Sequence, residues 1–153
     1  MTIEHGSIDQ RVFIKAPPAA VYAAFAEREQ FEDWFGVKLT GDMVEGATIA
    51  MGSGKCEGSN EDGSYPFTIL SMKPEREIAW TWTPGRRMPG RDYDHSPKTT
   101  VTITLAPHAD GTMVTVVETG FEQFDEEWMD AILCDNINGW VHQSKSLMEH
   151  FAK

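Results

Sequence analysis

Residues 125–153 read DEEWMDAILCDNINGWVHQSKSLMEHFAK, and this stretch decides the fold. Met129, Leu133, Asn136, Trp140, Ser144, Leu147 and Phe151 recur at steps of three and four, the spacing that lines side chains along one face of an α-helix. Asp125 is placed to act as N-cap, Glu126 and Glu127 put negative charge in the first turn, and Phe124 and Met129 are spaced as a hydrophobic staple. No proline interrupts the pattern. A helix of this length with one apolar stripe must lie against something broad.

Working back along the chain, the only broad partner is a sheet. Thr99–Leu105 alternates, with Val101, Ile103 and Leu105 on one side and Thr100, Thr102 and Thr104 on the other. Ala109-Asp110-Gly111 is a hairpin turn into a last strand, Thr112–Glu118. Glu77–Thr83 sends Ile78, Trp80 and Trp82 one way, and Pro74-Glu75-Arg76 joins it to a strand over Tyr65–Met72. Brief strands are expected over 37–41 and 47–51. The stretch from Ser53 to Ser64, with Gly54, Gly58, Gly63, Asn60 and Asp62, has the chemistry of a hairpin tip.

Near the N-terminus, Ile8–Lys15 reads as a strand with Ile8, Val12 and Ile14 on one face and Asp9, Arg11 and Lys15 on the other; Gln10 and Phe13 break the alternation. Pro17-Pro18 opens a short helix whose apolar face is Val21, Tyr22 and Phe25. A second short helix, around 29–35, groups Phe31, Trp34 and Phe35. Consecutive hairpins followed by one long helix give an α+β architecture, with residues 1–153 forming one domain without repeat or linker.

The chain carries 24 acidic against 13 basic residues, a formal net charge of −11. That balance argues against nucleic-acid binding, which needs clustered Lys and Arg. No apolar run has the ~20 residues of a membrane-spanning helix, and residues 1–6 do not resemble a secretion signal; the expectation is a cytoplasmic protein without membrane insertion. Cys56 and Cys134 have no metal-ligand spacing, and no metal or cofactor is expected.

The order of these segments resembles a known family. Val12-Phe13-Ile14-Lys15-Ala16-Pro17, Val21-Tyr22-Ala23-Ala24-Phe25 and Asp33-Trp34-Phe35 look like the opening of the polyketide-cyclase/START-like superfamily. More narrowly, they are similar to the C-terminal domain of the activator of the ninety-kilodalton heat-shock-protein ATPase. Residues 74–82 and 111–116, Gly120-Phe121 and Gly139-Trp140 follow in the family's order. The resemblance implies a helix-grip fold: a curved antiparallel sheet, two short helices and a long C-terminal helix enclosing a cavity. It also implies a range of roles, from ligand binding and cyclisation to chaperone assistance. Many members carry a histidine just before the helix Gly-Trp pair, where this chain has Asp135-Asn136-Ile137-Asn138, so no acid–base role for that histidine transfers.

Candidate cavity residues follow from the faces. Trp80 and Trp82 project from one sheet face, and Trp34, Phe35 and Tyr65 are second-rank lining residues. Trp140 centres the helix stripe, with Asn136 and Ser144 as polar groups on either side that need hydrogen-bond partners. Gly139 is expected to let the helix approach its neighbours closely. Arg86, Arg87 and Arg91 lie in the long Pro84–Pro97 loop, a possible lid over an acidic head group or a solvated hairpin tip. His142 and His150 share a helix face off the stripe, expected to be solvated. Glu118 shares strand parity with Val114 and Val116 and is the best candidate for a buried carboxylate, although strand ends are commonly exposed. No residue is assigned a catalytic role. The leading expectation is a binder of a small lipophilic molecule; the alternatives are a cavity enzyme of cyclase, dehydratase or hydrolase type, for which Glu118, or Asp33 with His95, would supply the chemistry, and a chaperone-associated partner. Monomer and homodimer both remain open.

Overall fold

The computed structural model describes residues 2–4, 6–52, 64–84 and 96–152. Among the described residues eight antiparallel strands form one sheet in the order β1-β2-β8-β7-β6-β5-β4-β3. They are β1 (Thr2–Glu4), β2 (Ser7–Ile14), β3 (Lys38–Leu39), β4 (Thr48–Gly52), β5 (Ser64–Lys73), β6 (Glu77–Trp82), β7 (Thr99–His108) and β8 (Gly111–Thr119). Between β2 and β3 come α1 (Pro18–Ala26) and α2 (Arg28–Phe35), and α3 (Glu126–Phe151) closes the chain. This is the helix-grip arrangement of a curved antiparallel sheet with a long terminal helix.

Alternation sets the register. In β7, Val101, Ile103 and Leu105 are buried while the intervening threonines are not. Val101 stands opposite Trp80 on one side and Glu118 on the other, so the inward face carries both aromatic mass and one carboxylate. In β2 the alternation is unbroken where a break was expected. Gln10 lies on the inner face with Ile8, Val12 and Ile14, and is itself buried. A polar residue fits there because its amide reaches the helix: Gln10 Nε2 donates to the Trp140 carbonyl at 3.1 Å and to Ser144 Oγ. Both buried polar residues thereby find a partner in each other.

The C-terminal carbonyls of the small helices, which have no partners within their own helices, tie α1 to α2 and α2 to α3. The Trp34 indole donates to Ala24 O at 2.7 Å, linking α2 to α1. From α3, Gln143 Nε2 donates to Phe35 O at 2.9 Å and Ser146 Oγ donates to Trp34 O. Gly36 ends α2 in the left-handed region at φ 79°, its N–H donating to Glu32 O at 3.1 Å, a role for which the absence of a Cβ suits it.

Three details of α3 depart from expectation. Asp125 stands at the N-cap position but makes no side-chain capping bond. Ile132, one residue from the expected stripe, is fully buried. Gly139 faces solvent, and a Cβ there would meet nothing within 4 Å, so close approach is not its role.

Among the described residues, the space between sheet and helix lined by Val12, Phe25, Trp34, Val116, Trp140, Ser144 and their neighbours is about 10 Å³. That is near the least that holds one water. This part of the interior is filled by side chains.

The β7–β8 hairpin packs under the end of β2 with no room to spare. A Cβ on Gly111 would fall 2.2 Å from Ile14 O and 3.0 Å from Lys15 Cα. Gly111→Ala is therefore expected to destabilise the fold by about 1–3 kcal/mol, as overpacking of a rigid backbone contact does; the midpoint of chemical denaturation measures it, and an unchanged midpoint would show that the hairpin shifts freely.

Candidate functional site

The inner face holds a continuous group of aromatic rings. Phe31 stacks on Phe35 with centroids 4.7 Å apart and meets Trp34 and Trp80 edge-on at 5.6 and 6.0 Å. Trp80 lies 5.7 Å from Trp82, and Trp82 lies 5.8 Å from Trp140 on α3. Such edge-to-face and tilted contacts add to the area each ring buries. Trp80 is fully buried and its indole N–H has no hydrogen-bond partner among the described residues.

At one end of this wall sits Glu118, near the end of β8, with a relative exposure of 0%. The residue singled out as the candidate buried carboxylate is buried, although strand ends are commonly exposed: residues from three elements close over it. Trp82 Nε1 of β6 donates to Oε2 at 2.8 Å, and Thr99 Oγ1 of β7 donates to Oε2 at 2.6 Å. Trp140 Nε1 of α3 donates to Oε1 at 2.8 Å, and Asn136 Nδ2 spans both oxygens at 3.0 and 2.8 Å. Asn136 and Trp140 are four residues apart on one helix, so both reach the same point.

Two opposing effects act on the Glu118 pKa. Burial disfavours the charged form and raises it; the donated hydrogen bonds from Thr99, Trp82, Trp140 and Asn136 favour the carboxylate and lower it, and burial is the larger. No charged side chain among the described residues offsets that burial. Two indoles and an amide NH₂ can only donate, so a proton on the carboxyl finds its one acceptor in the Thr99 hydroxyl. A carboxylate has about four lone-pair sites, and these donors fill them. The arrangement suits holding an oxygen pair in place; it leaves no lone pair directed at a substrate proton.

The residues named from sequence fall into groups. Trp82, Trp140 and Asn136 meet at Glu118. Trp34, Phe35 and Trp80 belong to the aromatic wall. Tyr65 is half-buried on β5, its hydroxyl donating to Met51 Sδ at 3.1 Å. Ser144 sits away from Glu118, bonded to Gln10. Arg86, Arg87, Arg91 and His95, with the expected hairpin tip at 53–63, lie outside the described residues. His150 is not solvated as expected: it packs between α3 and α2, Nε2 3.5 Å from Gln30 Oε1 and Nδ1 3.8 Å from Asp33 Oδ2. Thr99 and Gln10 were missed. For Thr99 the signal available was its parity with Val101 and Ile103, which points its side chain to the inner face.

The raised Glu118 pKa has a definite sign in stability. The folded chain holds this proton more tightly than the unfolded chain, so the stability that protonated Glu118 contributes is present below about pH 4.5 and is lost as pH rises through the raised folded value. Glu118→Gln cannot titrate. The stability of the native protein relative to Glu118→Gln is expected to decline as pH increases above about 4.5, read from paired melting curves across pH; a difference independent of pH would mean that donors and burial cancel, and one that grows with pH that the donors dominate.

Comparison with known proteins fits this architecture. The family model described as activator of Hsp90 ATPase homolog 1-like protein matches residues 15–152. No curated protein matches the chain. Among solved structures, protein MLL2253 from Mesorhizobium loti is 18% identical over 95% of this chain and 96% of its own, with a TM-score of 0.74. DynU16, from the dynemicin biosynthetic locus, is 18% identical over 98% of this chain but 48% of its own, TM-score 0.76. The Aha1 dimer from Colwellia psychrerythraea is 19% identical over 95% of each chain, TM-score 0.65. At these identities the likeness is one of fold. With the family model covering all but the first strands, the chain belongs to the activator of Hsp90 ATPase homolog 1-like family.

Proposed function

We propose that the protein binds a small lipophilic molecule at the Glu118 end of the sheet–helix interface and does so without catalysing a reaction on it. The observation that carries this reading is the Glu118 clasp: a fully buried carboxylate whose lone pairs are occupied, set against a wall of tryptophans. A general base needs a free lone pair within reach of a substrate proton, and with the clasp closed the lone pairs of this carboxylate are taken by its own donors. A polar point at the margin of an apolar surface is what binding sites use for orientation.

The core beneath Trp140 and Ser144 is too full for a ligand. The ligand therefore sits beyond it, against the N-terminal half of α3, where Met129, Leu133 and Ile137 are only half-buried. Trp82, Trp140, Asn136 and Tyr65 border that region in this reading, Trp34, Phe35 and Trp80 form the rigid backing, and Ser144 anchors the helix.

Family membership favours a second reading, a partnership with a chaperone, since the family is described by its likeness to an Hsp90 ATPase activator. Self-association is a further possibility for the same surface, a relative of this fold being a dimer in solution.

Thermal-shift screening of lipophilic compounds, with native mass spectrometry of the purified protein, tests the first reading. At least one compound is expected to raise the melting temperature and bind one to one, and Leu133→Asn is expected to weaken it about tenfold or more, the loss of one apolar side chain's burial. No stabilising compound, together with retention of the chain by a chaperone, would replace ligand binding by the second reading.

A further inference from the structure

The four donors on Glu118 are not equivalent. Trp82, Thr99 and Trp140 are buried and each gives one hydrogen bond. Asn136 is half-buried, and its single amide nitrogen bridges both carboxylate oxygens. Asn136 is thus the outer member of the clasp, on the same half of α3 as the half-buried Leu133 and Ile137. Its position is where a two-point donor meets the oxygen pair.

We propose that Glu118 recognises a hydrogen-bond-donating head group, an amine or amidine, on an otherwise apolar ligand, and that this head takes over the bridging position held by the Asn136 amide. This rests on the reading that a lipophilic molecule binds at this end of the interface. The selectivity follows from what the described residues lack. As a carboxylate, Glu118 only accepts, so a carboxylate or phosphate head meets like charge and finds no donor left over among the described residues. A hydroxyl head can satisfy one oxygen. An ammonium or amidinium gives charge-assisted bonds, which are shorter and about twice as strong as neutral ones, and it supplies the positive charge that no described residue brings to Glu118.

Calorimetric titration with decylamine, decanol and decanoate, each below its micelle concentration and at physiological salt, tests the proposal. Decylamine is expected to bind one to one, at least tenfold tighter than decanol, with decanoate weakest. Glu118→Gln should erase the preference for the amine, and Asn136→Ala should bind decylamine at least as tightly as the native chain. With a net charge of −11, amines also collect on the surface; Glu118→Gln alters that charge by one, so amine binding that survives this change is adventitious and overturns the proposal. Should Glu118→Gln not fold, Asn136→Ala and the native series still decide: decanoate equal to or tighter than decylamine overturns the selectivity while leaving lipophilic binding intact. Binding of none of the three overturns the proposal together with the reading beneath it.

Discussion

One buried carboxylate joins the two layers of this protein. Glu118 sits where β6, β7, β8 and α3 converge, and it accepts hydrogen bonds from residues on three of those elements besides its own. Taking a carboxylate out of water is costly unless its oxygens are matched. The matching here is done by neutral donors, which is consistent with burial outweighing them in setting the pKa. The net effect on stability is therefore modest or adverse, whereas the effect on geometry is strong: Asn136 and Trp140 can reach the carboxylate in one helix position only. Such a group specifies where α3 lies more than it stabilises that position.

A second polar contact, Gln10 with Ser144 and the Trp140 carbonyl, fixes the same helix one turn further on. Gln143 and Ser146 then hold the C-terminal end of α2. Along this half of α3, polar anchors alternate with buried Trp140 and Leu147. Among the described residues the N-terminal half has fewer such ties, and apart from the fully buried Ile132 its apolar residues are only partly covered. The difference between the two halves is what directs a binding reading to one end of the helix.

The fold was legible because both periodicities were clean. The threes and fours of α3 and the twos of β7 each fit one structure, and strand ends were placed within a few residues. The site was half legible. Trp82, Asn136 and Trp140 could be put on inward faces from spacing, and Glu118 from parity, but not that they converge, since convergence depends on how far α3 slides along the sheet. Gln10 was read as a flaw in a strand because a lone amide on an apolar face has no visible partner in one dimension; its partner is 134 residues away. His150 was read as solvated because its neighbours on α2, Gln30 and Asp33, are likewise invisible from the helix alone.

That separation has a bearing on how the chain is assembled. The second strand is hydrogen-bonded to the eighth along its whole length, and its inward glutamine is met only by the terminal helix. The central layer therefore cannot be completed from the amino end as synthesis proceeds. Early segments must wait, with their apolar sides unprotected, until the last turns of the final helix have been made. A remote pairing of this kind slows folding, because the intervening chain must be closed before the contact is gained, and apolar faces left open in the interval favour aggregation.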